Sequence, residues 1–444
     1  MNRRRPQDQR NTARSRQRTA NPTRRQGIPE PRQRPLEPPP AHPPAQSSGG
    51  RTCGWSGGSA ALDPTRLPNM STTAGPVDVD ALRARLDRAT AAASTAGLDA
   101  LLIAPGSDLR YLIGAGGASF ERLTCLVLPV GGTPLLVVPK LEHPGYADVP
   151  TDALGVDVAT WVDGEDPYAL VKKALKGTRH AVSDMMPALH NLRLKDVVGG
   201  EQVLAGPVLR ELRMRKDAAE VAALRKAGAA IDRVHARMAE WLRPGRTERE
   251  VGADIAAAIV AEGHVLAEFV IVGSGPNGAS PHHDVSDRVI EHGDVVVVDI
   301  GGPVAEGYNS DSTRTYAVGE PREPDVWETY AVLQAAQRAA VEAVRPGVTC
   351  AAVDAAAREV IAAAGFGDRF VHRTGHGIGL DVHEEPYIVD GNDLPLEPGM
   401  AFSVEPGIYL PGRWGARIED IVIATADGAE SVNNRPHELV VLPA

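Results

Sequence analysis

VVVVDIGGPVAEGYNSDSTRTYAV, residues 295–318, is the stretch on which the reading of this chain turns. Four valines before Asp299 read as a buried central strand with a carboxylate at its mouth. Asp311 follows twelve residues later at the head of a second strand-like run, and GGPVAEG between them is turn-rich. The simplest geometry is strand, turn, strand, with the two aspartates side by side. Taken alone, a pair of turn aspartates would read the same way.

A later pair repeats the design. Glu405 (FSVEPGIY) and Glu419 (ARIED) stand fourteen apart on two apolar runs joined by YLPGRWG, each directly after Val or Ile. A carboxylate inside such a run is costly to bury unless it is paired or metal-bound. HRTGHGIGLDVHE supplies His372, His376 and His383, and Gly375, Gly377 and Gly379 allow close backbone approach around His376. This is not the helical HExxH zinc pattern. His282, in SPHHD, stands seventeen residues before Asp299. Four carboxylates meeting in a dry cleft would repel, and some would have to stay protonated. Two divalent cations cancel that charge. With one imidazole, the mostly hard oxygen ligands suit Mn²⁺ first, with Co²⁺ or Zn²⁺ as alternatives. Two such ions can activate one water for hydrolysis.

Outward from these runs the chain alternates strands and helices. Strands are expected at 267–272, 295–300, 313–318, 400–405 and 417–424, with helices at 248–262, 325–344 and 351–364. The charged, Ala/Leu-rich segment 209–242 reads as one or two helices forming a hinge. Before it, a helix at 78–96 and short strands at 100–103, 123–129 and 134–139 suggest a small α/β domain without a nucleotide fingerprint.

Charge divides the 444 residues differently. Residues 1–69 hold 13 Arg, no Lys, 4 acids and 12 of the 36 Pro, a net +9, against −19 for the remainder. An acidic body argues against nucleic-acid binding, and no apolar run approaches the roughly 20 residues of a membrane span. The Pro/Arg-rich segment cannot bury enough surface to order itself. It is expected to be a disordered tail, with Met70 as the start of the working protein. Cys53, Cys125 and Cys350 form no CxxC pair and read as free thiols of a reducing compartment, the cytoplasm.

SPHHDVSDRVIEHGDVVVVDIG, SDSTRTY, HRTGHGIGLDVHEEP, FSVEPGIY and RIED, in this order, resemble the pita-bread metallopeptidases, which include Xaa-Pro dipeptidase, aminopeptidase P, methionine aminopeptidase and creatinase. SDLRYLIGAGG and LRELRMRKDAAEV extend the likeness over about 76–444. The resemblance implies an α+β chain: a tail (1–75), an α/β creatinase-type N-terminal domain (76–205) and a pita-bread catalytic domain (206–444). It implies a dinuclear centre held by Asp299, Asp311, His376, Glu405 and Glu419, with Glu405 also the proton carrier. His282 and His383 match the histidines that shuttle protons at the scissile bond, and His372 the one lining the proline-side pocket. Arg417, two residues before Glu419, is placed on the same strand face, orienting a carboxylate or substrate or else forming a structural ion pair. The expected activity is hydrolysis of the Xaa-Pro bond in dipeptides by a homodimer. Aminopeptidase P action on longer peptides and a silent interaction protein of the same fold are the alternatives. One departure is visible: the Asp299–Asp311 spacing is one residue longer than is usual in the prolidase branch, which could alter the pocket rim.

Overall fold

The computed structural model describes residues 78–117 and 121–444. The expectations for the tail and for Met70 lie outside those residues. Six strands come first: β1 (Ala100–Ile103), β2 (Cys125–Pro129), β3 (Leu135–Pro139), β4 (Asp157–Trp161), β5 (Arg179–Val182) and β6 (Glu201–Leu204). They form one mixed sheet in the order β4-β3-β2-β1-β5-β6. β1 is buried along its whole length, and its alternation splits the core. Leu101 and Ile103 share a cluster with Leu82, Leu86 and Ala89 of the helix Val79–Thr95. Leu102 packs on the other side with Val127, Val137 and Leu194. The helix starts where Asp78 accepts from the Asp80 and Ala81 amides, and it buries one stripe at helical spacing.

The helices Gly206–Met214 and Ala218–His235 lead onward, the second opened by a capping box of Asp217 and Glu220. The remaining strands are β7 (Phe269–Ser274), β8 (Val295–Pro303), β9 (Asn309–Val318), β10 (Gly375–Gly377), β11 (Glu384–Ile388), β12 (Ala401–Val404), β13 (Gly407–Leu410), β14 (Trp414–Arg417), β15 (Asp420–Ala424), β16 (Ala429–Ser431) and β17 (Val440–Leu442). They form a sheet β17-β9-β8-β7, a sheet β11-β10-β12-β15-β16 and a ribbon β13-β14. Helix pairs back them. Ala218–His235 and Glu248–Ala261 share a core with β7–β9 through Ile231, Ile255, Val298 and Ile300. Val326–Ala343 and Cys350–Ala363 share another with β12–β15 through Leu333, Ile361, Phe402 and Val422. Each such side chain contributes about 1.5–3 kcal/mol when fully buried.

Two details differ from the sequence expectation. The β8–β9 hairpin runs further than GGPVAEG suggested: pairing continues to Pro303↔Asn309, and only 304–308 form the loop. The longer Asp299–Asp311 spacing therefore does not reach the pocket rim. The loop instead packs away from the cleft, with the Tyr308 hydroxyl 2.7 Å from Glu220 Oε1. Second, 417–424 is not one strand. β12 pairs with β15 (Val404↔Asp420), while β13 pairs with β14 (Gly407↔Arg417). Both strands change partner at the same level, and Glu405 and Glu419 sit at that corner.

Candidate metal centre and cleft

The corner, the hairpin and the short strand β10 meet at one place. Asp299 and Asp311 come from β8 and β9, two residues out of direct register (Asp299↔Thr313, Gly301↔Asp311), so they fall on one face. His376 lies on β10, squeezed between β11 and β12. A Cβ on Gly375 would collide with the Ser403 carbonyl, and one on Gly377 with the Glu385 carbonyl. The glycines flanking His376 therefore serve close packing, as expected. Ligand atoms of Asp311, His376 and Glu419 lie within 4.8 Å of one another, all buried. His376 Nε2 is 3.6 Å from Asp311 Oδ2 and 3.3 Å from Glu405 Oε1.

Hydrogen bonds define the state of these groups. His376 Nδ1 is 3.1 Å from the Gly377 carbonyl, which can only accept, so the proton sits on Nδ1. Burial holds this imidazole neutral, with its pKa down to about 3. Its Nε2 lone pair therefore faces two carboxylates, an arrangement that repels unless a proton or a cation lies between. Burial and neighbouring carboxylates hold Asp311 and Glu419 well above the usual carboxylate range, and burial pushes Glu405 up to about 7. Asp299 Oδ1 and Asp311 Oδ1 are closed to solvent and accept no hydrogen bond from the described residues. Orphaned carboxylate oxygens, a free imidazole lone pair and mutually repelling acids are a donor set that divalent cations satisfy.

Arg417 takes the ion-pair place that was one of its two expected alternatives, with Asp299 as the partner. The corner interrupts the strand between Arg417 and Glu419, so the two-residue alternation does not carry across. Its guanidinium instead pairs with Asp299 Oδ2 at 2.6 Å and donates to the hydroxyls of Tyr409 (2.8 Å) and Thr313 (3.0 Å). Thr313 in turn donates to Glu419 Oε2 at 2.7 Å. Arg417 thus orients one candidate ligand directly and a second through Thr313. It also offsets one of four negative charges that the sequence reading left wholly to metal.

The cleft over this centre encloses about 930 Å³. His282 lines its exposed rim, and His372 and His383 its wall. The His383 ring centroid is 4.1 Å from that of His376, edge-on. His372 gives Nδ1–H to its neighbour's carbonyl and, held neutral by burial with a pKa of about 4, accepts from Tyr409 at Nε2 (2.8 Å). The cleft therefore brings together all nine candidate residues. Sequence reasoning missed Tyr409, Thr313, Ser403 and Arg373. Ser403 donates to Glu405 Oε1 at 3.1 Å. Thr313 and Ser403 each lie two residues from an acid of the centre, a spacing that strand alternation makes visible.

Residues 222–426 match the model of metallopeptidase family M24, and 85–215 match the creatinase/prolidase N-terminal domain. The "Probable dipeptidase PepE" of Mycobacterium tuberculosis is 63% identical over 368 residues, which are 82% of this chain and 98% of that protein. The chain belongs to metallopeptidase family M24. A Lactobacillus delbrueckii subsp. lactis Xaa-Pro dipeptidase is 35% identical over 361 residues, covering 78% of this chain and 96% of that one. The crystal structure of dipeptidase PepE from Mycobacterium ulcerans superposes with a TM-score of 0.80 at 63% identity, covering 83% of this chain and all of that one. M24 membership makes the chain a metal-dependent peptidase with a creatinase-type domain before a pita-bread domain.

Proposed function

We propose that this M24 protein hydrolyses the Xaa-Pro bond of dipeptides, using two divalent ions, Mn²⁺ in first place. The observation that carries the reading is the neutral His376 Nε2 facing Asp311 and Glu405 beside two orphaned aspartate oxygens. The relatives named Xaa-Pro dipeptidase and dipeptidase PepE favour it over aminopeptidase P action or a silent role. Asp299, Asp311, His376, Glu405 and Glu419 would hold the ions, which when bound lower the pKa of a water and polarise the scissile carbonyl. Glu405, partly buried and bonded to Ser403, takes a proton from the attacking water and returns it to the departing proline nitrogen. His383, held neutral chiefly by burial, donates an N–H to the tetrahedral oxyanion, with His282 opposite at the rim. His372 lines the proline side, its ring fixed by Tyr409.

The same reading takes the chain as a tail to 75, an N-terminal domain to 205 and a catalytic domain beyond. It places a homodimer in the cytoplasm. Buried free Cys125 and Cys350 support a reducing compartment. Among the described residues no helix is long and apolar enough to cross a membrane. The test is turnover of Ala-Pro beside Ala-Pro-Ala with Mn²⁺ and with Co²⁺, together with metal analysis of the purified protein. Ala-Pro should be the better substrate, and Glu405→Ala should lose both bound metal and turnover. Near-normal Ala-Pro hydrolysis by that variant would sink the assignment.

A further inference from the structure

We infer that Arg373 is the specificity-determining residue of the cleft, its guanidinium taking the free C-terminal carboxylate of a dipeptide substrate. The inference rests on the dipeptidase reading above and deepens it. Two arginines line the cleft, Arg373 and Arg417. Arg417 is fully engaged by Asp299, Tyr409, Thr313 and the Pro281 carbonyl. Arg373 is half-buried, and its guanidinium has no hydrogen bond or ion pair with any described residue. What holds it is the Tyr387 ring, with Cζ 4.4 Å from the ring centroid.

Stacking on an aromatic face fixes the plane of a guanidinium and leaves its in-plane N–H groups free, the geometry that meets a carboxylate with two parallel bonds. Placement agrees with that use. Arg373 lies between His372 and His376 in sequence and lines the same cleft as His376, His383 and Glu405, beside the reacting centre. In an Xaa-Pro dipeptide the carboxylate belongs to the residue directly after the scissile bond, within about 4 Å of chain. In a longer peptide that position holds a neutral amide. A committed cation there rewards the dipeptide and leaves the longer substrate without a charge partner.

The experiment compares Ala-Pro with Ala-Pro amide on Mn²⁺-loaded enzyme, for the wild type, Arg373→Gln and Arg373→Lys. Arg373→Gln should lower kcat/KM for Ala-Pro about 10- to 100-fold, mostly through KM, the scale of a lost charge-assisted bond pair. For the amide the change should stay within about 3-fold, which also reports that the variant is folded. Arg373→Lys should recover part of the loss, because charge returns without the fork. An equal loss on both substrates, or no loss on either, overturns the assignment while leaving the dipeptidase reading intact. A wild-type enzyme that cleaves no Xaa-Pro substrate overturns that reading, and this assignment with it.

Discussion

Stripping the metal should turn the catalytic centre into a pH-dependent liability. In the metal-free protein Asp311, Glu405 and Glu419 bind protons more tightly than in the unfolded chain, because burial disfavours their charged forms. Glu405 rises from 4.5 to about 7. Above pH 4.5 the folded state therefore holds protons that the unfolded chain has released, and stability falls as pH rises. For Glu405 alone this amounts to about 3 kcal/mol once pH exceeds 7, at about 1.4 kcal/mol per unit. Asp311 and Glu419 act in the same direction. Buried imidazoles pull the other way at lower pH. His235, His372 and His376 stay neutral in the fold, with pKa values of about 3, 4 and 3, while the unfolded chain protonates them near 6.5. That contribution is complete above pH 7, so the interval from pH 7 to 8 isolates the carboxylates. Urea unfolding in chelator should show stability still falling across that interval, by at most about 1.4 kcal/mol per pH unit for each carboxylate that holds its proton there, with little change for Mn²⁺-loaded protein. Loading the ions at pH 7 should release at least one proton, read by calorimetry in two buffers of different ionisation enthalpy. Metal-free stability that is flat or rising from pH 7 to 8, or loading without proton release, would refute the reasoning.

Three substitutions probe the supports. Glu248, at the start of its helix, accepts from Ser274, Asn277, His283 and Ser286 and so ties down the segment carrying His282. Glu248→Gln should cost about 3 kcal/mol by chemical denaturation, because an amide N–H₂ then faces buried donors. It should also lower kcat. Arg417→Met strands the Asp299 carboxylate and should cost about 3–5 kcal/mol in chelator but clearly less with Mn²⁺ bound, by the same denaturation assay. Arg213 joins Asp108 of the N-terminal domain to Asp381 and Glu384, the latter next to His383. Arg213→Lys keeps the charge but cannot reach all three acids. It should lower kcat about 10-fold with KM little changed, measured in steady-state assays on Ala-Pro.

The hairpin was legible because its signals are local. Four valines, a Gly-rich link and a second β-rich run imply β8 and β9, and strand alternation places Asp299 and Asp311 on one face. His376 was legible for a related reason: glycine on both sides of a histidine declares a backbone that neighbours approach closely. What stayed hidden depends on pairing between distant segments. Residues 417–424 read as one apolar run, and nothing within that run says that its first residue pairs with Gly407 and its fourth with Val404. The partner of Arg417 stayed hidden for that reason. The alternation rule assigned it to the Glu419 face, but its partner, Asp299, lies 118 residues away. Arg373 was hidden differently, since its significance is the lack of a partner, which only the folded cleft reveals.

The corner also explains why two glutamates can occupy apolar strands without a continuous polar face. Along a regular ladder, a side chain one residue on points to the opposite face, so Val404 and Glu405 would alternate between core and cleft indefinitely. Here the alternation is needed only once. Val404 closes the ladder against Asp420, and the strands part immediately afterwards at Glu405 and Glu419. β13 and β14 then begin a separate ribbon whose Arg417 and Tyr409 turn back toward Asp299 and His372. A break in sheet pairing thus supplies two acids and their restraining cation from one local event. Closing it by straightening 417–420 into one strand would move Arg417 off Asp299. The buried carboxylate would then lack its only ion-pair partner among the described residues, a cost of several kcal/mol that favours the bent corner.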